Sequence, residues 1–330
     1  MSFFFAPKLN PDPSAWKICV VLPTRNEAAT IASVSSMIRR AFAQNGLREP
    51  IILLADDSHD QTRMIAHGLG LHVIVGGGKG LGYAMSKGLK AALAFSPDVI
   101  VSMDADGQSD PDEIQKFLGP IASGEADMTV GSRFLQPGLI DYRYKWLNRM
   151  GVLLLSRFLR WMTGIPFTDS HGGLRAMRPE VVREMDIIGT HTYVQETIVD
   201  AHEKGFRIKE VPSVWLERKS GRSRVVGSIP KYVMYTLPIL IIRSGVHIKW
   251  LYSLGTMLVL FAFLYFGFLS WEEGFQFKRM FARLPAFVLI ALLVIVGLQL
   301  FTFGFLAEQT KNIKAQVDRL EAAERKKEEA

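Results

Sequence analysis

The stretch SMDADGQSDPDEI, Ser102–Ile114, follows the apolar run Ser96–Met103 and precedes a helical pattern. Asp104 and Asp106 stand two apart, so at a strand end both project to the same side. Neighbouring carboxylates repel unless a cation lies between them. Asp oxygens and the amide oxygen of Gln108 are hard donors that suit Mg²⁺ or Mn²⁺. A plainer reading is a helix N-terminus, in which Ser109 or Asp110 caps, Pro111 takes the first turn, and Asp112 and Glu113 favour the helix dipole. That reading covers Ser109–Glu113 and leaves Asp104 and Asp106 unexplained. Taken alone, the stretch allows either, and its surroundings have to decide.

Outward from it, residues 17–131 alternate in type. KICVVL, PIILLA, LHVIV and DVIVSM read as strands, with ADMTVGS as a fifth. NEAATIASVSSMIRRAF has helical spacing, a helix follows DDSHDQT, and YAMSKGLKAAL is another. Such alternation predicts an α/β domain with a mostly parallel sheet, whose ligands gather at the carboxyl ends of the strands. The polar clusters PTRNE, DDSHDQT, GGGKGLG and DADGQ all fall there. GGGKGLG does not have the dinucleotide-binding spacing, because Tyr83 stands where the third glycine belongs. Nor is it a Walker loop, since Gly80 follows Lys79 and Val73 occupies the first glycine position. It reads either as a tight strand–helix turn or as a turn that holds an anion. Residues 141–224 are less regular: an arginine-rich helix (141–161), a glycine turn DSHGGLR, the segment YVQETIVDAHEKGF, and VPSVWLERKSGRSRV as a strand entering a basic loop.

The chain has 330 residues, a formal net charge of +7 and one cysteine, Cys19, so no disulfide forms within it. Trp250–Trp271 (22 residues) and Leu284–Ala307 (24 residues) carry no charge. Each is long enough for a hydrocarbon core of roughly 30 Å. Trp250 and Trp271 bracket the first run, where interfacial aromatics belong. The short linker between the runs makes a hairpin with both flanks on one side. Lys231, Arg243, Lys249, Lys311, Lys314 and Arg319 on the flanks, against Lys278, Arg279 and Arg283 in the linker, predict cytoplasmic flanks. MSFFFAPKLNP is too short and too proline-broken for a cleavable signal. Attraction to anionic headgroups accounts for the positive charge without a nucleic-acid partner. Pro230 and Pro238 interrupt the apolar segment 229–247, which is expected to lie in the interface. The charged tail reads as a solvated helix, with a short coiled coil as the alternative. Gly297 and Gly304 allow two spans, or two subunits, to pack closely, so a homo-oligomer is among the expected partners.

LPTRNE, DDSHDQT, GKGLGYAMSKGLKAA, MDADGQSDPDEI, VGSRF and RKSGRSR occur in the order found in family 2 glycosyltransferases. The chain most resembles the branch similar to dolichol-phosphate mannose synthase, which includes polyprenyl-phosphate glycosyltransferases with a C-terminal membrane hairpin. The resemblance implies a GT-A fold, a nucleotide-sugar donor and a divalent metal, Mg²⁺ or Mn²⁺. It implies that Pro23, Arg25 and Glu27 line the nucleotide pocket, that Lys79 lies near the donor, and that Asp104, Asp106 and Gln108 hold the metal on the diphosphate. Asp56 or Asp57 would meet the base. The family's Asp-Asp-x-Ser-x-Asp aligns Ala55 with its first Asp unless a one-residue gap is allowed, so that choice stays open.

The implied acceptor is a polyprenyl phosphate, undecaprenyl or dolichyl. It is already an anion and needs cations to position it rather than a strong base. Arg133, Arg149, Arg218 and Arg224 are the candidates, because guanidinium forks match phosphate; for each, a surface or headgroup contact is the plain alternative. Glu196 is expected to orient a sugar hydroxyl or an arginine, or else to form a structural salt bridge. Asp169 and Arg175 match an acceptor-side loop, and His171 reads as a loop residue. The catalytic set is then Asp106, Arg133, Glu196 and Arg218. The expected organisation is an extension (1–16), a GT-A domain (17–228), an interfacial segment (229–249), the hairpin (250–307) and a cytoplasmic tail (308–330). The expected activity is inverting sugar transfer to the lipid phosphate. One rival is a processive polysaccharide synthase, which requires more spans and a Gln-x-x-Arg-Trp motif; RFLRW has Arg157 in the Gln place. The other rival is a non-catalytic membrane-anchored nucleotide-sugar-binding module, which the acidic turn argues against.

Overall fold

Strand β1 (Ile18–Thr24) is apolar at nearly every position because both of its faces are covered. Ile18, Val20 and Leu22 point to one side and Cys19 and Val21 to the other, as the strand period of two requires. On the first side lie α1 (Ile31–Gln44) and α4 (Ile114–Ala122), on the second α3 (Leu81–Ala92) and α7 (Val194–Glu203). Helix α1 buries Ile31, Val34, Ile38, Ala41 and Phe42, one stripe of a 3.6-residue period. Each such large side chain stabilises by roughly 1.5–3 kcal/mol when fully buried.

The protein is seen in a computed structural model that describes residues 9–142, 146–190, 193–217, 235, 238–241, 245–274, 276 and 283–328. Arg218, Arg224, Lys231, Arg243, Lys278, Arg279 and most of the segment expected at the interface lie outside the described residues. The chain divides into two compact units, Met1–Arg243 and Ser244–Ala330.

The first unit holds a seven-stranded sheet in the order β3-β2-β1-β4-β6-β5-β7. It adds β2 (Ile51–Asp56), β3 (His72–Val75), β4 (Val99–Ser102), β5 (Met128–Ser132), β6 (Arg175–Met177) and β7 (Ile208–Pro212) to β1. All pairs are parallel except those of β6, which runs antiparallel to β4 and to β5. The expected mostly parallel α/β sheet is therefore present. Strand β6 differs from expectation, since DSHGGLR reads as a turn and its last residue instead starts a strand. Gly172 makes this possible: a Cβ there would overlap the Gly131 carbonyl oxygen. Helix α1 begins at Ile31 and not at Asn26, because Asn26 takes a left-handed φ of 55° and the segment to Thr30 forms a turn. Among the described residues this unit also holds α2 (Thr62–Gly68), α5 (Trp146–Thr163) and α6 (Pro179–Glu184).

Among the described residues the second unit holds a helix pair, α8 (Val246–Glu272) and α9 (Leu284–Glu328). His247–Glu272 and Leu284–Ile313 are each long and apolar enough to cross a membrane. The helices meet where Gly255 and Gly297 face each other: a Cβ on Gly255 would lie 2.8 Å from the Gly297 carbonyl oxygen. Small residues at a crossing let the backbones approach this closely. Tyr252 packs edge-on against Phe301 at 5.4 Å and donates to Glu308 at 2.9 Å. The charged tail continues α9 without a break.

Gly172→Ala is expected to destabilise the first unit by about 1–3 kcal/mol or more, the cost of overpacking where backbone is the neighbour. Thermal unfolding of the purified chain, followed by circular dichroism, measures it. An unchanged midpoint would mean that the β5–β6 contact is looser than described.

Candidate active site

The chain leaves β1 toward β2 on one side and returns to β4 on the other, so the crevice of this sheet opens between the carboxyl ends of β1 and β4. Four loops meet around it. The first two are knitted together. The Asn26 amide nitrogen donates to Ser58 Oγ at 2.7 Å, the His59 amide to Asn26 Oδ1 at 2.8 Å, and the Glu27 amide to Thr62 Oγ1 at 2.9 Å. Arg25 is exposed and Pro23 and Glu27 are half-buried. Glu27 also accepts from Thr30 Oγ1 at 3.2 Å.

The two candidate base-binding carboxylates have different surroundings. Asp56 is fully buried and accepts from Thr24 Oγ1 (2.7 Å), Arg63 Nε (2.6 Å) and the Ser58 hydroxyl. Burial raises its pKa, but the hydrogen bonds from Ser58, Thr24 and Arg63 outweigh it and hold the carboxyl below its usual range. Asp57 is half-buried and accepts the Gly78 amide at 2.8 Å. It fixes the glycine turn after β3, where a Cβ on Gly76 would lie 2.6 Å from Asp57 Oδ1. Lys79 sits over the Tyr83 ring at 4.8 Å. Gly80, at φ 108°, fits against the carbonyl of Thr190, which also accepts the Gly82 amide at 3.0 Å.

In the acidic turn, Asp110 accepts the Asp112 amide at 3.0 Å and Pro111 opens a short 3-10 turn before α4. The capping reading thus holds for Asp110–Glu113 and does not involve Asp104. Asp106 Oδ1 accepts the Gln108 amide at 3.0 Å across Gly107, which has φ 77°. Gln108 Nε2 donates to the Leu216 carbonyl at 3.4 Å, and Oε1 is the end of that amide whose chemistry suits a cation. Gly173 leaves the space that the Asp104 carboxylate occupies, since a Cβ there would overlap Oδ2. Among the described residues no three His, Cys, Asp or Glu side chains form a cluster fit for a metal ion. Two carboxylates and an amide oxygen fit a hard divalent cation that takes its other ligands from phosphate and water.

Beside this turn lies a buried charged cluster. Asp169 is fully buried and receives Arg133 Nε at 2.6 Å and Nη2 at 2.9 Å. The Arg133 guanidinium also stacks on Trp215, 4.2 Å from the ring centroid. Burial raises the Asp169 carboxyl and the adjacent Arg133 charge more than offsets it, leaving it below the usual range. Glu210 accepts the backbone amides of Thr168 and Asp169, each at 2.9 Å. Arg175 is fully buried, donates to the Gly172 carbonyl at 3.0 Å and to Thr197, and lies over Tyr193. Burial, and then the Asp104 charge, push the Tyr193 phenol up.

The geometry adds contacts for two of the candidate residues. Arg133, a candidate for the acceptor phosphate, is buried and places two of its three guanidinium nitrogens on Asp169. Glu196 is the candidate for a sugar hydroxyl, an arginine or a structural salt bridge. It is buried and accepts the Ile188 and Gly189 amides at 2.7 and 2.8 Å, so it holds the loop that reaches Gly80. Arg149 on α5 is exposed, 5.8 Å from the Phe134 ring centroid. His171 is a loop residue, as read. Trp215, Glu113 and Glu210 were missed. Glu113 accepts Ser213 Oγ at 2.9 Å and the Val214 amide at 2.8 Å, and so fastens the segment that carries Trp215. The only sequence signal for Glu113 is its place in a helix first turn, which hides the role.

A family model described as Glycosyl transferase family 2 matches residues 19–185. A polyprenol monophosphomannose synthase from Mycolicibacterium smegmatis is 29% identical over 227 residues, covering 66% of this chain and 83% of that protein. An undecaprenyl-phosphate mannosyltransferase from Micrococcus luteus is 29% identical over 223 residues, covering 64% and 89%. Among solved structures, glucosyl-3-phosphoglycerate synthase from Mycobacterium tuberculosis, in complex with Mn²⁺, UDP-glucose and phosphoglyceric acid, superposes with a TM-score of 0.54 at 23% identity. It covers 70% of this chain and 80% of its own.

Gly173→Ala is expected to push the Asp104 carboxylate aside and weaken Mn²⁺ binding about 10- to 100-fold, the usual effect of disturbing a ligand's support. Calorimetric titration of the folded variant measures this without turnover. A second expectation concerns pH. Desolvation, and then the Arg133 charge, hold the His171 imidazole down to about 4 from 6.5, against the opposing pull of Asp169. A folded-state pKa below the unfolded one means that the unfolded chain binds the proton first. The contribution is full above about 6.5 and is lost as pH falls toward about 4. The unfolding midpoint should therefore drop between pH 7 and pH 5, and drop less in His171→Asn. Glu210, raised by burial, acts in the opposite sense in both proteins, so the difference between them isolates His171.

Proposed function

The chain belongs to glycosyl transferase family 2, and from that premise we propose that it moves a sugar from a UDP- or GDP-sugar to a polyprenyl phosphate with inversion at the anomeric carbon. The observation that carries this reading is the acidic turn. Asp104 and Asp106 sit at the mouth of the β1–β4 crevice, Asp110 caps the turn that follows them, and Gly173 leaves room for the Asp104 carboxylate. The lipid acceptor is supported by the two mannosyltransferase relatives and by two helices fit to cross a membrane.

In this proposal Asp57 reaches the base, because Asp56 is buried among Thr24, Ser58 and Arg63. Pro23, Arg25 and Glu27 border the nucleotide, and Lys79 on its glycine turn stands near the donor. Asp104, Asp106 and Gln108 hold a divalent cation. Bound there, Mg²⁺ or Mn²⁺ would neutralise charge developing on the diphosphate leaving group. Arg149, with Arg218 and Arg224, positions the acceptor phosphate. A phosphate oxygen attacks the anomeric carbon, the bond to the donor diphosphate breaks, and the electron pair leaves on that diphosphate. No base is required, because the acceptor is already ionised. Arg133 and Glu196 act as positioning residues: the first braces Asp169 and Trp215, and the second holds the 188–190 loop against the donor turn. The excess of basic residues on the hairpin flanks supports a cytoplasmic catalytic unit and C-terminus.

The test is a panel of UDP- and GDP-sugars against undecaprenyl and dolichyl phosphate, with label followed into the organic phase. One pair should turn over and give a β-linked lipid phosphate from an α-linked donor. Chelation should abolish the activity and Mg²⁺ or Mn²⁺ restore it. Asp106→Asn should lose about 100-fold or more, the scale of removing one transition-state contact. Full activity in excess chelator, or retention at the anomeric centre, would overturn the proposal.

A further inference from the structure

Helix α5 turns an unusual face to solvent. Trp146 is 71% exposed, Leu154 63% and Trp161 57%, with Met150 and Leu153 also exposed. At 100° per residue these five fall on one arc, and Val152, Ser156 and Leu159 are buried on the opposite side. Arg149, Arg157 and Arg160 are exposed on or beside the same arc. Trp146–Thr163 contains no Asp or Glu.

We propose that α5 docks on the surface of an anionic bilayer, with its Trp–Leu–Met arc at the boundary between headgroups and acyl chains. This goes beyond the acceptor assignment, since it concerns where the catalytic unit touches a membrane, whatever sugar it transfers. Charge complementarity selects the occupant. Three arginines without an acid match anionic headgroups, and they would repel a second copy of the same face. Tryptophans near both ends are the residues that settle at a membrane interface. The same chain carries two helices long and apolar enough to cross a bilayer, so such a surface is at hand.

The docking face is also joined to the site. Ser156 Oγ accepts the Ser170 amide at 2.9 Å, and Arg160 Nη2 donates to the Phe167 carbonyl at 2.8 Å. These bonds fasten α5 to the loop that carries Asp169. A helix lying on the bilayer would thereby hold this loop, and the Arg133 paired to it, close to the headgroup layer.

Nitroxide accessibility tests the proposal. Cys19, the single cysteine, is fully buried with its thiol pushed up to about 12, so added cysteines label selectively. The full chain carrying Leu154→Cys, and separately Gln115→Cys on the exposed face of α4, is labelled and placed in nanodiscs of phosphatidylglycerol and phosphatidylethanolamine. At position 154, oxygen should broaden the spectrum severalfold more than a water-soluble nickel complex does. At position 115 the order should reverse. Leu153→Cys provides a second reading should the first variant fold poorly. Nickel access at 154 equal to that at 115 would overturn the proposal, because the face then meets water. Shielding from both reagents would mean a protein partner, and dipolar broadening between labels a second copy; either overturns it.

Discussion

The ion pair between Asp169 and Arg133 is the contact on which the rest of the site depends. Asp169 is fully buried, and its charge is satisfied there because Arg133 grips both of its oxygens and the backbone amides of Arg133 and His171 donate to them. Removing one partner of such a pair leaves a charge stranded in a poor solvent, at a cost of about 3–5 kcal/mol. The pair joins the end of β5 to the loop before β6. Gly172 and Gly173 follow directly, the first closing on Gly131 and the second on Asp104. On its other side, Arg133 stacks on Trp215, whose backbone bridges to Ser109 in the acidic turn and to Ile140. One buried contact thus sets where the acidic turn, the glycine loop and the segment leading to the basic loop stand relative to each other.

Chemistry and architecture divide the labour in this site. Residues suited to touch a diphosphate, Asp104, Asp106 and Gln108, are half-buried and sit on a short turn. Residues that fasten the loops around this turn, Glu113, Asp169, Arg175 and Glu210, are charged and mostly buried, and each is paired with backbone amides or carbonyls, an arginine or a hydroxyl. A buried charge held by several hydrogen bonds is rigid, because every alternative position loses several bonds at once. Such rigidity would suit the proposed transfer, whose rate would rest on positioning and on fixed charge. Arg133 on Asp169 and Glu196 on the Ile188 and Gly189 amides are held in the same way.

Much of the fold is legible along the chain. The apolar runs at 18–22, 51–55 and 99–103, the helical spacings between them and the polar clusters at their ends follow from periodicities that any half-buried element must obey. The placement of Asp104, Asp106 and Gln108 on one turn is legible too, because residues on one short turn need only local geometry. Strand β6 was not legible. Three residues are too few for a period, and what makes them a strand is the room left by Gly172 beside Gly131, some forty positions earlier in the chain.

What the sequence determined by itself was therefore the class of fold, the family, the uncharged helices and the acidic turn. All of these are written in spacings of a few residues. Tertiary structure decided that Asp56 is buried while Asp57 is half-buried, because the groups around Asp56 come partly from Thr24 on the neighbouring strand. It decided that Arg133 faces Asp169 and Trp215 rather than an open surface, and that Glu196 serves a loop. The reason is common to all three. A side chain's role depends on whether its charge is already satisfied. The satisfying partner is set by packing between segments distant in the chain, about which local spacing carries no information.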